Sequence, residues 1–311
     1  MVSAVVVGLL VSAQSRINAS LAEEFAAAGE GDTQAAIHAA AISFATGLVL
    51  VLAIVLLSPS LRRTSHGVVA ALRLGSLRPW YLLGGMGGAW LVTTQGLTVP
   101  TLGVALFLVA VVAGQSMGSI FVDGIGLGPL GRIHPTARRV LAAGLALVGV
   151  AIAVAPRLGA VDGVSLEVLV LAALALSAGV GVSVQQALNG RVAVAAGRPL
   201  SAAAVNFTVG FTTVVLVLGL AMLVSGGQLA PLPDALWLYV GGPLGVAFIV
   251  IAAWVVPLVG VLRFALAAIS GQLLGGAILD LLAPLGDVTL APLTLVGIVV
   301  AFLGVVVANR R

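Results

Sequence analysis

Four carboxamides stand out by type and spacing: Gln14 and Asn18, then Gln185 and Asn189. Each pair is four residues apart, so on a helix both amides share one face. Each also sits inside an apolar run, where a polar side chain is costly and asks for a reason. An amide brings donors and an acceptor but no charge. Four of them around one cavity could hold a polar, neutral or zwitterionic solute. Hydrogen bonding between helices, worth about 1 kcal/mol or less in a membrane, is the competing role.

Other polar residues rank behind these. Gln115 and Gln272 fall roughly 20 Å into their apolar runs at 1.5 Å per helical residue, near the middle of a bilayer, and join the solute-binding candidates. Asn206 and its counterpart Ser43 rank lower, and Gln95, which has no twin, lower still. Arg16 lies between Gln14 and Asn18, where it either snorkels toward Glu23 and Glu24 or presents a cation to a solute. Arg263 reads as an interfacial snorkelling residue. Asp123 and Asp280, near the ends of their runs, are the candidates for ion coupling, because no carboxylate occupies the middle of any run.

Several chemistries lack their residues. The chain has no Cys, which removes disulfides and thiol catalysis, and its three His (His38, His66, His134) lack metal-ligand spacing. Lysine is absent, so no ATP-binding P-loop is expected. No cofactor, metal or nucleic acid is implied, and no cluster suited to catalysis is evident.

The elements that must position these residues follow from composition. Of 311 residues, 61% are hydrophobic and 8% charged. An ordinary soluble domain carries about 25% charged residues, so this chain reads as an all-α protein of the lipid bilayer. Runs of about 20 apolar residues, enough to cross roughly 30 Å of hydrocarbon, fall near 2–22, 36–57, 80–99, 102–122, 138–156, 166–189, 200–224, 235–255, 259–281 and 291–308. Breaks are expected at Pro100 and at Pro257 with Gly260. The first run is expected to be a retained helix, since it lacks the basic start of a cleavable signal.

Charge orients the ten runs. Arg62, Arg63, Arg73, Arg78, Arg132, Arg138, Arg139, Arg191, Arg198, Arg310 and Arg311 all fall on one side if both termini are cytoplasmic. The other side collects Glu23, Glu24, Glu30, Asp32, Asp162, Glu167, Asp234 and Asp287, with Arg157 as its one arginine.

The sequence also repeats. Trp80, Gly84-Gly85, Gly88, Pro100, Gly103, Gly114-Gln115 and Asp123 return as Trp237, Gly241-Gly242, Gly245, Pro257, Gly260, Gly271-Gln272 and Asp280, all 157 residues later. Gln14/Asn18 and Ser43-Phe44/Gly47 return as Gln185/Asn189 and Asn206-Phe207/Gly210. Residues 1–156 and 157–311 therefore read as two repeats of five helices. An odd number per repeat turns the second upside down, the inverted arrangement that many secondary transporters use. The glycine pairs Gly84/Gly88 and Gly241/Gly245 read as helix-packing contacts, and Trp90 and Trp254 as packing or cavity-lining residues.

The Gln-x-x-x-Asn-x-x-Leu of Gln14–Leu21, Pro79-Trp80 with its glycine run, Gly114-Gln115 and Asp123-Gly124-x-Gly126-Leu127 resemble motifs of the YdcZ-like family in the drug/metabolite transporter superfamily. The resemblance covers nearly the whole chain, as a fused pair of five-helix halves. In the second copy Asp280 is followed by Leu281-Leu282-Ala283-Pro284, without the glycine turn of the first. The resemblance implies an inner-membrane, multi-pass secondary transporter, expected to be an exporter of a small polar or amphipathic metabolite. A proton or another cation as coupling ion, and a monomer or homodimer, fit the same reading. The alternatives are a membrane scaffold that transports nothing and a lipid-modifying enzyme.

Overall fold

The computed structural model describes residues 2–57, 67–134, 136–158, 166–282 and 291–309. Arg62, Arg63, His66, Asp162, Asp287, Arg310 and Arg311 lie outside the described residues. Those described are almost all helical, with no strand among them. The helices are α1 (Val2–Ala27), α2 (Asp32–Leu57), a short α3 (67–73), α4 (Gly84–Ile125), α5 (Ala137–Leu158), α6 (Leu166–Ala196), α7 (Pro199–Ser225), α8 (Gly241–Val259), α9 (Val261–Leu282) and α10 (Pro292–Asn309). Helix is the outcome lipid demands of such runs, because it satisfies every backbone N–H and C=O within the segment. Seven helical runs among the described residues are long and apolar enough to cross a membrane. The shorter apolar runs Val140–Ala153 and Pro292–Gly304 belong to α5 and α10.

One run, Pro79–Ile125, is 47 residues long, about twice what a bilayer needs. It is interrupted at Gly103, whose φ of 75° and ψ of 163° are not helical. Gly260, between α8 and α9, has φ 86° and ψ 162°. Only glycine occupies that region without strain. Pro100 and Pro257 remain helical, three residues before each break. The breaks thus fall later than the prolines suggest: proline weakens the last turn, but the change of direction needs a residue without Cβ.

Local structure recurs at the 157-residue spacing. The short 3-10 segments η1 (Pro79–Leu83) and η2 (Leu236–Val240) immediately precede Gly84 of α4 and Gly241 of α8. The helix pairs recur too. α1 packs on α9, and α6 packs on α4. At the first crossing Gly8 faces the Ala268 carbonyl and Gly271 the Val5 carbonyl; at the second Gly179 faces the Val111 carbonyl and Gly114 that of Leu176. Ser12 Oγ donates to Gln272 O and Ser183 Oγ to Gln115 O, each at 3.0 Å. α2 packs on α7 and α5 on α10. On the first of these, Phe44 and Phe207 meet with ring centroids 5.3 Å apart, Phe44 against Gly210 and Phe207 against Gly47. Each half therefore buries its surface mainly against the other.

The longest extensions past the sequence limits are those of α1 and α6. α1 continues through Glu23 and Glu24, and α6 through Arg191. α3, in the arginine-rich connection after α2, was not foreseen; its Ala71 packs with Leu77, Val192 and Ala202.

Candidate functional site

Residues from six helices close on a small cavity between the halves. Gln14 of α1, Ser43 and Phe44 of α2, Gly88 of α4, Gln185 of α6, Asn206 and Phe207 of α7, and Gly245 and Phe248 of α8 border it. Its volume is about 20 Å³, room for a single water. Among the described residues, no charged side chain borders it. The rim is thus two glutamines, an asparagine and a serine set among phenylalanines.

Glycine makes room for the amides. A Cβ on Gly88 would stand 2.7 Å from Gln185 Nε2, and one on Gly245 2.6 Å from Gln14 Nε2. A Cβ on Gly84 would stand 2.7 Å from Asn189 Oδ1, and one on Gly241 2.5 Å from Asn18 Oδ1. The glycine pairs do allow close approach, but the groups that approach are side-chain amides as well as backbone.

The four amides are satisfied differently. Gln14 Nε2 donates to the Gly241 carbonyl at 3.0 Å. Asn18 Nδ2 donates to Gln95 Oε1 at 2.7 Å, and Gln95 Nε2 to Ser15 Oγ at 3.0 Å. In the other half, Gln185 Nε2 and Asn189 Nδ2 both donate to Asn206 Oδ1, at 2.9 and 3.0 Å. Gln95 and Asn206 thus perform matching work from non-matching positions. Gln185 Oε1 is buried without a hydrogen-bond partner. Buried acceptors are normally satisfied, so Gln185 keeps one acceptor unanswered.

The remaining candidates lie elsewhere. Asn18 and Asn189 stand behind the cavity rather than on its border. Gln115 and Gln272 sit at the α4–α6 and α1–α9 crossings, each 2% exposed or less with Oε1 unpartnered. Arg16 is half-buried and feels the carboxylates of Glu23 and Asp280. Glu23 borders a second cavity of about 210 Å³ with Asp32, Thr101 and Glu167. Asp123 and Asp280 are buried, not solvated helix ends. Asp280 Oδ1 and Oδ2 accept the backbone N–H groups of Val104 and Ala105 at 3.0 and 2.8 Å, and Asp123 stands beside Gly260. Each aspartate therefore attends the helix break of the other half. Arg263 is exposed. Trp90 and Trp254 are 41% and 56% exposed and point outward from the bundle, Trp90 donating to Ser177 Oγ.

A family profile described as "Putative inner membrane exporter, YdcZ", of the drug/metabolite transporters, matches residues 1–152 and 170–307. That is more than nine-tenths of the chain, in two segments. The chain belongs to the YdcZ family. It is thus a membrane transporter by family and not a member of an enzyme family, and the paired segments agree with the repeat in its sequence. Fifteen solved chains match it. One, titled "Crystal structure of protein", is 16% identical with a TM-score of 0.58, covering 99% of this chain and 97% of that one. At that identity the likeness speaks for the YdcZ chain's fold alone. No curated protein matches it.

Sequence reasoning undervalued Gln95 and missed the Glu30–His38 pair, which joins at 2.7 Å with both side chains buried. Gln95 has no repeat partner, so repetition could not flag it. Its position three residues after Val92, on the α4 face that meets α1, was the available signal.

Proposed function

We propose that this YdcZ-family protein is an inner-membrane secondary transporter that exports a small polar or amphipathic metabolite by alternating access between two inverted repeats, 1–156 and 157–311. The observation that carries the reading is the uncharged, amide-rimmed cavity between the two halves, with one glutamine from each half on its border. The matched breaks at Gly103 and Gly260, the reciprocal α1–α9 and α6–α4 crossings, and the family match in two segments support the repeat. If the halves lie inverted, ten segments cross the membrane, α4 contributing two. Both termini and the arginine-rich loops then face the cytoplasm.

Closed to the size of one water, the cavity represents an occluded arrangement. Rocking one half against the other about the Phe44–Phe207 contact would widen it toward either side in turn. Gln14, Gln185 and Asn206 would hold the solute. Asn18, Asn189 and Gln95 would hold those amides in place, while Asp123 and Asp280 are the carboxylates available for ion coupling. The test is solute flux in proteoliposomes, with ligands first selected by thermal shift and with or without a proton gradient. Saturable flux that falls in Gln14→Ala and Gln185→Ala proteins of normal folded yield is the expected result. Unchanged flux in the double variant would remove the site.

A further inference from the structure

The acidic end of the bundle carries a buried pair that has no role in the solute cavity. Glu30 lies in the connection between α1 and α2, and His38 one and a half turns into α2. Glu30 Oε1 meets His38 Nδ1 at 2.7 Å and accepts the backbone N–H of Ala230 at 2.6 Å. Ala230 belongs to the connection between α7 and η2 (Leu236–Val240), in the other half. Gln34 Nε2 reinforces the same junction by donating to the Gln228 carbonyl at 3.0 Å. His38 stacks on Phe25 with centroids 3.8 Å apart and planes within 8°. Glu30 Oε2 is buried with no partner.

The pair straps two halves together over an apolar plug. Leu21, Phe25, Ala35, Ala39 and Leu238 form that plug, and Ala39 stands one turn, about 6 Å, along α2 from Ser43 on the cavity border. Opening the bundle at this end therefore requires Glu30 to release Ala230.

The other end is fastened by different chemistry. There Arg191 donates from Nε to the Leu127 carbonyl and from Nη2 to the Gly126 carbonyl, at 3.0 and 2.9 Å. Ser201 occupies the position matching His38, and the shorter Gly197-Arg198 connection replaces the one that bears Glu30. Arginine keeps its charge at any biological pH. A carboxylate–imidazole pair does not.

We infer that Glu30 and His38 form a proton-binding site that latches the acidic end of the bundle, and that a second proton on the pair releases it. With one proton between them the pair is neutral overall, which suits a buried site. A second proton leaves a net positive charge there, and an uncompensated buried charge is expensive. The other titratable groups on the surrounding elements are Glu23 and Glu24 of α1, Asp32 of α2, Asp234 of the α7–η2 connection and Tyr239 of η2, whose hydroxyl donates to Pro233 O. α7 brings none, and Arg16 of α1 lies two turns deeper than Glu23. Glu24, Asp32 and Asp234 are exposed and Glu23 is half-buried, so solvent screens most of their pull on the pair. Protons reach it through an open mouth of about 650 Å³ bordered by Glu30, Asp32 and Gln228. On the proposed topology, on which only the compartment depends, this mouth senses the external pH.

The chain has no native Cys, so Ala39→Cys places one thiol beneath the latch. Its maleimide labelling rate is measured in detergent and divided by that of Gly31→Cys, an exposed control, which cancels the pH dependence of the thiol. The normalised rate should rise about tenfold as the pH is lowered from about 7.5 to about 5 and the second proton enters. In Glu30→Gln and His38→Gln backgrounds, checked for folded elution, that rise should vanish. Glu30→Gln keeps the acceptor for Ala230, and His38→Gln keeps a donor for Glu30, so either suffices if the other misfolds. A flat rate in the Ala39→Cys protein alone, or an undiminished rise in the substituted backgrounds, overturns the inference. The readout uses no solute and is independent of the transport proposal.

Discussion

Asp280 of α9 caps the second arm of α4 at Val104, across 176 residues of sequence. Gly103 breaks the helix there, and the first N–H groups of the new arm have no carbonyl behind them. A carboxylate answers them with two hydrogen bonds and opposes the positive end of the helix dipole. Asp280→Ala should cost about 1–3 kcal/mol by leaving these donors unmatched. Asp280→Asn, which retains one acceptor, should lie between Ala and the parent. Intrinsic tryptophan fluorescence during a thermal ramp in detergent reads the order. If Asn melts like the parent and Ala does too, the cap contributes nothing.

Glycines fall into two classes that one substitution separates. At Gly8, Gly271, Gly114 and Gly179 a methyl would run into a neighbouring backbone carbonyl, and backbone moves only with its helix. Gly8→Ala and Gly114→Ala should therefore lose folded yield. At Gly88 and Gly245 the obstacle is the end of a glutamine side chain, which can swing aside. Gly88→Ala and Gly245→Ala should fold but displace Gln185 and Gln14 and reduce flux. Size-exclusion profiles together with flux assays distinguish the two behaviours.

This division marks how far the residues speak before folding. The bilayer, the runs and the 157-residue repeat are legible because composition and periodicity are local properties. The Gln14 and Gln185 pairs are legible because amides are rare in apolar runs. What could not be read is who answers them. Gln95 and Asn206 sit at unrelated positions of the repeat, and only packing brings them to equivalent tasks. Asp123 and Asp280 look like ordinary helix ends until the opposite half places a helix break against each. Glu30 looks like loop charge until Ala230 arrives from the other half.

Asn206 should matter more to stability than its single side chain suggests. Its Oδ1 accepts from both Gln185 and Asn189, so Asn206→Ala strands two buried donors at about 1–3 kcal/mol each. Removing Gln185 as well relieves one of them. The double variant Asn206→Ala/Gln185→Ala should thus be more stable than the sum of the singles predicts. Additive melting shifts would mean that the two amides do not share this acceptor.

Arg191 joins α6 to the end of α4 through the carbonyls of Gly126 and Leu127, with Tyr81 5.6 Å beneath its guanidinium. Lysine offers a point charge in place of a planar fork, and cannot reach both carbonyls in one geometry. Arg191→Lys should consequently lower the melting temperature nearly as far as Arg191→Met. A Lys variant that melts with the parent would show that charge alone is enough.

Phe44 and Phe207 form the point where the two halves touch at the cavity wall. Each ring rests on a glycine of the opposite helix, Gly210 or Gly47, and neither can shrink without opening the wall beside Gln14 or Gln185. Truncating a buried phenylalanine typically costs about 3–5 kcal/mol when the cavity stays empty. Here the new space would join a polar, amide-rimmed pocket that already admits one water, so water can fill part of it. Phe44→Ala and Phe207→Ala should therefore each cost less than a dry-core truncation, yet weaken the seal between the two sides. The expected pattern is a modest fall in melting temperature with a solute leak in proteoliposomes that does not saturate. A large fall in melting temperature with no leak would instead make the aromatic contact a dry structural core, and the cavity beside it no part of a pathway.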